Sequence, residues 1–283
     1  MSSSHHITTL KNSLIEFSKE LQTTSTQVIS SPRPAPQRLS ATTKIKDSTL
    51  RRKVTELETD LNKACTHFKK VAFSTSLGLE DQVLTYIIAK NNLPIDIFTL
   101  DTGRLFKETY ELLHETSHKY KPIRVYYPNT EEIETYVTTH GINGFKEAIS
   151  LRKKCCAIRK IHPLKRALSQ AELWITGIRN EQSPERSTAP SLEIAHEYRI
   201  IKFNPLIHWS YEETRTVVKT YKILYNPLHD NGFPSIGCAP CTRAVKPNEP
   251  ARAGRWWWEL STTRECGLHT SSSPTQPSIS STT

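Results

Sequence analysis

Apolar residues recur along this chain in two rhythms. Leu10, Leu14, Phe17 and Leu21 fall three or four positions apart, which sets them on one face of a helix. That spacing predicts a short amphipathic helix near the N-terminus. Leu50, Val54, Leu57, Leu61 and Phe68 predict a second one. Short apolar runs then alternate with longer amphipathic stretches. The runs Val71–Phe73, Ile95–Leu100, Ile123–Tyr127 and Leu173–Gly177 read as strands. The stretches Gly78–Lys90, Phe106–Tyr120, Glu131–His140 and Ile158–Gln170 read as helices. The strands do not alternate apolar with polar, as expected of strands buried on both faces. Alternating strands and helices imply an α/β fold, an open and mainly parallel sheet with helices on both faces. Ligands of such sheets bind beyond the C-terminal ends of the strands.

Two stretches fall outside this pattern. Thr23–Thr43 is rich in Ser, Thr, Pro and Gln and reads as a linker. Residues 270–283 offer one Ile among Ser, Thr, Pro and Gln and read as disordered. The expected organisation is a flexible extension over 1–47, one α/β domain over 48–269 and a disordered tail over 270–283. An apolar content of 36% fits polar segments added to an ordinary core.

Lys and Arg number 38 against 28 Asp and Glu, a surplus of 10. Such a surplus attracts anions without saying which. No apolar run approaches the ~20 residues of a membrane-spanning helix, and no secretory signal is visible at the N-terminus. A cytoplasmic, reducing location is therefore expected, where the six cysteines point to metal binding or catalysis before disulfides.

Four segments carry candidate chemistry. Ser74-Thr-Ser76-Leu-Gly78-Leu-Glu80-Asp81 follows a predicted strand and opens a predicted helix. Hydroxyls and backbone N–H groups collected there make a natural phosphate site, although an ordinary helix cap has the same look. Leu100-Asp-Thr102-Gly103-Arg104 also ends a strand, and reads equally as a nucleotide contact or a turn. Cys155-Cys156 and Cys238-Ala-Pro-Cys241 put four of the six cysteines in two tight pairs. A Cys-x-x-Cys pair is a common metal half-site. Neighbouring cysteines on a strand or loop point apart, which suits the separate irons of a cluster better than one zinc ion. The fourth segment runs from Arg252 through Arg255-Trp-Trp-Trp258 to Glu265-Cys266 and His269. Its arginines can grip an oxyanion and lower a nearby thiol pKa, and its tryptophans imply docking on the body of the protein. Cys65 falls near an apolar helix face and reads as a packed thiol. The run Arg152–Lys154 stays open between a solvated face and a role beside the cysteines.

Together these segments resemble the phosphoadenylyl-sulfate and adenylyl-sulfate reductases. Further blocks carry the resemblance: Thr176-Gly-Ile-Arg179, Asn204-Pro-Leu206 with Trp209, and Tyr225-Asn-Pro-Leu-His229 leading into Gly232–Thr242. The doubled cysteines point to the cluster-containing branch, the assimilatory adenylyl-sulfate (APS) reductases. The resemblance implies a fold like that of the adenine-nucleotide α-hydrolases, with a mobile C-terminal segment. It implies one [4Fe-4S] cluster held by Cys155, Cys156, Cys238 and Cys241. Cys266 matches the catalytic nucleophile. Lys160, Arg252, Arg255, His269 and, more weakly, Arg179 match positions near the phosphosulfate. Ser74, Ser76, Thr102 and Gly103 fall where the nucleotide is held. The implied reaction reduces APS to sulfite and AMP through a thiosulfonate on Cys266. No thioredoxin-like domain follows, so a separate thioredoxin or glutaredoxin is the expected reductant. Neither nucleic acid nor membrane is expected as a partner, and a homo-oligomer is allowed. The alternatives are a cluster-containing PAPS reductase, an ATP-dependent tRNA-thiolating enzyme of the same superfamily, or a metal-bearing nucleic-acid-binding module.

Overall fold

The structure is a computed structural model that describes residues 3–27 and 47–259. Helix α1 (Ser3–Gln27) comes first, and α2 (Ser48–His67) follows. Asp47 caps α2 by accepting hydrogen bonds from the amides of Thr49 and Leu50. Then come β1 (Val71–Ser74), α3 (Leu79–Lys90), β2 (Ile95–Leu100), α4 (Lys107–Lys119), β3 (Arg124–Tyr126) and α5 (Thr130–His140). Helix α6 (Ile149–Cys156) runs through a π turn (Ala157–Ile161) into α7 (His162–Leu168). Last are β4 (Leu173–Ile175), β5 (Leu192–Ala195), β6 (Ile200–Phe203) and α8 (Tyr211–Thr220).

The six strands form one sheet in the order β3-β2-β1-β4-β6-β5. All neighbours are parallel except β5, which pairs antiparallel with β6 at the edge. From β1 the chain first builds outward through β2 and β3, then returns to the other side of β1 with β4. The direction reverses between β1 and β4, and a crevice opens beyond the C-terminal ends of strands at such a point.

Both faces of the sheet are buried, as the apolar runs predict. Val71 and Phe73 of β1, with Leu173 and Ile175 of β4, join a large core under α2, α3, α4 and α8. Ala72 and Trp174 face the other way, into a smaller core with Leu164 and Leu168 of α7. This is the period-2 geometry of strands.

Helix α1 corrects part of the expected organisation. Phe17 is 0% exposed and meets Phe68 and Phe203 edge-on at 5.1 and 5.5 Å. Leu10, Leu14 and Leu21 pack on the same core. Glu20 bonds His67 at 2.8 Å. The first half of the supposed flexible extension is therefore a docked helix that completes the large core. Most of the expected linker, and the tail from residue 270, lie outside the described residues. Among the described residues, no helix is long and apolar enough to cross a membrane.

Candidate active site

The reversal between β1 and β4 places a cleft of about 440 Å³ beyond the strand ends. One wall is the turn from β1 into α3. Gly78 supplies no capping side chain at the start of α3, so the first amides of that helix stay available to an anion. The turn is braced from within. The Ser76 amide and hydroxyl both donate to Oδ2 of Asp81, at 2.5 and 2.8 Å. Leu77 takes φ +61° while its amide donates to Thr75 Oγ1 at 3.0 Å. Asp81 is buried, and that burial pushes its carboxyl up to about 7 against the Ser76 hydrogen bonds. Gly177, which follows β4, abuts this turn. A Cβ there would fall 2.1 Å from Asp81 Oδ1, so only glycine allows the end of β4 to approach the first turn of α3 this closely. Ser74, at the end of β1, accepts a hydrogen bond from Trp174 Nε1 at 2.8 Å.

The loop after β2 forms the next wall. Asp101 accepts from the Gly103 amide at 2.7 Å and from the Tyr110 hydroxyl at 2.8 Å. Thr102 lines the cleft. Gly103, the expected nucleotide contact beside it, is not among the residues lining the cleft. It takes φ +69°, turns the loop, and would present a Cβ 3.6 Å from Arg159. Arg159 in turn donates to the Thr102 carbonyl at 2.5 Å.

Cationic side chains in the wall include Lys160, Arg179, Arg186, Arg252 and Arg255. Arg179 is already engaged: its Nε donates to Glu80 at 2.7 Å and its Nη1 to Glu181 at 3.1 Å. With a side chain only 5% exposed, it braces the wall through these two carboxylates. Arg255 is buried, with Nη1 donating to Ser235 and to the Ile236 carbonyl.

A second, much smaller cavity lies behind Lys160, Cys238 and Arg255, which line both spaces. Cys155, Cys156, Cys238 and Cys241 all face it. Cys155 and Cys156 end α6, where the sequence pattern had suggested a strand or loop. On a helix, neighbouring side chains diverge by about 100°, so the two thiols still enter the cavity from different directions. The π turn that follows carries Arg159 and Lys160. Pro163, just beyond it, has no N–H to give back to the preceding turn, and a widened turn relieves this. The Cys-x-x-Cys pair frames a single 3-10 turn, Ala239–Cys241, whose first amide donates to the Arg104 carbonyl at 2.8 Å. Cys238 Sγ lies 3.3 Å from Thr102 Oγ1, so cleft and cavity share a loop.

Burial pushes the Cys155 thiol upward and that of Cys241 up to about 12. Those two thiols, when bare, stay protonated until an electrophilic group displaces the protons. Three buried donors around the cavity have no hydrogen-bond partner: Arg159 Nε, Arg255 Nε and Trp256 Nε1. Unsatisfied buried N–H groups are costly, and their convergence on four thiols suits an acceptor-rich, thiolate-held group. No set of His, Cys, Asp or Glu among the described residues is drawn around the position of a single metal ion. No disulfide forms among the described cysteines. Cys65 packs against the large core, where burial pushes its thiol up to about 11.

Cys266 and His269 lie outside the described residues. The chain reaches Glu259 through Trp256, Trp257 and Trp258, of which Trp256 is 1% exposed. Glu80 and Asp81 stand in the first candidate segment, but neither they nor Arg159 had been given a role of their own. Arg159 stands beside Lys160, in the same segment as the doubled cysteines, and that was the available signal.

Comparison with known proteins follows the same lines. The sequence profile of the phosphoadenosine phosphosulfate reductase domain matches residues 70–244. The adenosine 5'-phosphosulfate reductase of Agrobacterium fabrum is 49% identical over 212 residues, covering 75% of this chain and 82% of the relative. That of Sinorhizobium fredii is 53% identical over 201 residues, covering 71% and 80%. That of Allochromatium vinosum is 47% identical over 220 residues, covering 77% and 86%. Among solved structures, the PAPS reductase of Candida auris in its phosphate complex superposes with a TM-score of 0.57 at 24% identity. It covers 72% of this chain and 100% of the other, a likeness of fold. The chain belongs to the phosphoadenosine phosphosulfate reductase family, alongside its adenosine 5'-phosphosulfate reductases.

Proposed function

We propose that this protein reduces adenylyl sulfate to sulfite and AMP in sulfate assimilation, with Cys266 as nucleophile and a thioredoxin-type dithiol as reductant. The observation that carries the reading is the shared wall. Lys160 and Arg255 face both an anion-ready nucleotide cleft and a cavity of four cysteines. Relatives named adenosine 5'-phosphosulfate reductase support the choice of substrate.

Cys155, Cys156, Cys238 and Cys241 would hold one [4Fe-4S] cluster, with Arg159, Arg255 and Trp256 donating hydrogen bonds toward it. When bound, the cluster supplies a fixed charge distribution and structural support to that wall, and no electrons to the substrate. The chain's own residues do the rest. The start of α3, Ser76 and Thr102 seat the nucleotide. Lys160, Arg252, Arg255 and His269 offset the repulsion between a thiolate and an anionic phosphosulfate. The Cys266 thiolate attacks the sulfate sulfur. An S–S bond forms, the S–O bond to phosphate breaks, and AMP leaves with the electron pair. A thiolate of the reductant then attacks Cys266 Sγ, and sulfite departs with the electrons of the S–S bond. The second thiol of the reductant resolves the mixed disulfide and restores Cys266.

The test is turnover of anaerobically purified protein with APS or PAPS and thioredoxin. Sulfite from APS, lost in Cys266→Ser while the brown colour stays, is the expected result. Mass spectrometry after APS alone should place a sulfonate on Cys266. An adduct on Cys65, or turnover by the serine variant, overturns the assignment. Preferential use of PAPS makes the chain a cluster-containing PAPS reductase.

A further inference from the structure

Glu259 is the last described residue before the Cys266 segment, and it is tied down unusually firmly. Its carboxylate takes Arg152 Nε at 2.5 Å and Arg152 Nη2 at 3.1 Å, a two-pronged ion pair. The two side chains are only 3% and 6% exposed. The Arg152 guanidinium also lies over the Trp256 ring, 4.6 Å from its centre. Arg152 belongs to α6, three residues before Cys155, and lines the cysteine cavity itself. One side chain therefore touches the wall of the cavity, the tryptophan anchor and the root of the C-terminal segment.

A buried ion pair is a poor way to gain stability, because both charges lose their water. Well-packed apolar side chains would serve as well or better. What such a pair does supply is direction: a guanidinium fork meets a carboxylate in one register. Cys266 lies seven positions after Glu259, a length that spans at most about 25 Å. A shift at Glu259 thus moves the whole volume open to the Cys266 sulfur. Displacement of about 1 Å can cost a hundredfold in rate when attack geometry is demanding.

We propose that the Arg152–Glu259 pair is the pivot of the Cys266 segment, holding its root in register with the cysteine cavity and the cleft. Both are positioning residues, not catalytic ones. The proposal rests on Cys266 being the nucleophile, as assigned above.

The experiment uses the full chain with its cluster. Glu259→Gln and Arg152→Lys are compared with the double variant Arg152→Met/Glu259→Leu, which fills the same space with apolar groups. The readout is the single-turnover rate of Cys266 sulfonation at saturating APS, normalised to iron content. Each variant should lose at least about tenfold in this rate with less than about threefold change in KM for APS. The double variant should keep wild-type thermal stability and colour and still be slow. If it recovers the wild-type rate along with stability, the pair only stabilises and the proposal is overturned. If the single variants keep the wild-type rate per cluster, it is overturned as well. A second measurement separates this idea from the assignment of Cys266. AMP, which cannot sulfonate the thiol, should protect Cys266 of the wild type from iodoacetamide, read by peptide mass spectrometry, and protection should be lost in the variants. Should wild type sulfonate another residue, the nucleophile assignment fails while protection still judges the pivot. Equal protection in all variants overturns the pivot.

Discussion

The cleft and the cysteine cavity share a wall but are built in opposite ways. The cleft is braced by short-range bonds: Ser76 to Asp81 across five residues, and Asp101 to Gly103 across two. The polar groups of these two turns bond one another, so the turns are shaped before a ligand arrives, although His229 in the cleft wall leaves both ring nitrogens without a partner. The cavity is assembled from residues 155–156 and 238–241, which meet only through the fold. It leaves Arg159 Nε, Arg255 Nε and Trp256 Nε1 without acceptors. Local turns can thus shape one space by themselves, whereas the four-cysteine cavity, built from distant segments, leaves buried donors unsatisfied.

The comparison breaks most sharply if one site is destroyed alone. Cys241→Ser should bleach the protein and abolish sulfite production. AMP binding, read by calorimetry, should change less than about threefold, or ~0.7 kcal/mol. Loss of AMP binding as well would mean that the cleft depends on the cavity for its shape.

The converse damage is Gly177→Ala. Its new methyl group would collide with Asp81, so KM for APS should rise by more than about tenfold, ~1.4 kcal/mol. Iron content and visible absorbance should match the wild type. A normal KM would show that the end of β4 and the first turn of α3 can part without cost.

A smaller effect concerns Asp81, whose carboxyl is raised from 3.8 to about 7 by burial. The folded protein then holds a proton that the unfolded chain releases above about pH 4. That contribution to stability is complete at low pH and is lost as pH rises toward about 7. Each pH unit in that window removes up to about 1.4 kcal/mol. Asp81→Asn should flatten this slope in urea unfolding followed between pH 5 and 8. Parallel slopes would show that Asp81 is ionised throughout.

The smallest effect sharpens the account of the orphaned donors. Trp256→Phe keeps a ring under Arg152 and Arg255 but removes one N–H. Cluster loss in air, followed by absorbance, should quicken by about two- to fivefold, within the ~0.5–1.5 kcal/mol of one hydrogen bond. An unchanged rate would mean that this donor faces nothing in the holoprotein.

Much of the fold was legible because its strands and helices obey simple periods. Strands β1 to β4 and helices α2 to α5 fall where the apolar spacing put them. The C-terminal third was harder. Strand β6 holds Lys202 in the middle of its apolar run, which hides the pattern. In the structure that lysine is 4% exposed, bonded to Glu193 of β5 at 2.7 Å and lying over Trp174. Its partner is visible only once the hairpin exists. Helix α6 was missed for a related reason. Ile149-Ser-Leu-Arg-Lys-Lys-Cys-Cys has little apolar periodicity, and its burial comes from Arg152 and Cys156.

The sequence by itself determined the chemistry available here: two cysteine pairs, hydroxyl-rich turns after two strands, and arginines beside a tryptophan run. It also determined the helix carrying Phe17, though not that this helix completes the core. Only the tertiary structure decided which of these groups face one another. It sent Arg179 to Glu80, brought Gly103 beside Arg159, and set Arg152 against Glu259. The reason is physical. Periodicity records which face of its own element a residue occupies. Partners a hundred residues apart are chosen by the sheet order, which no local pattern encodes.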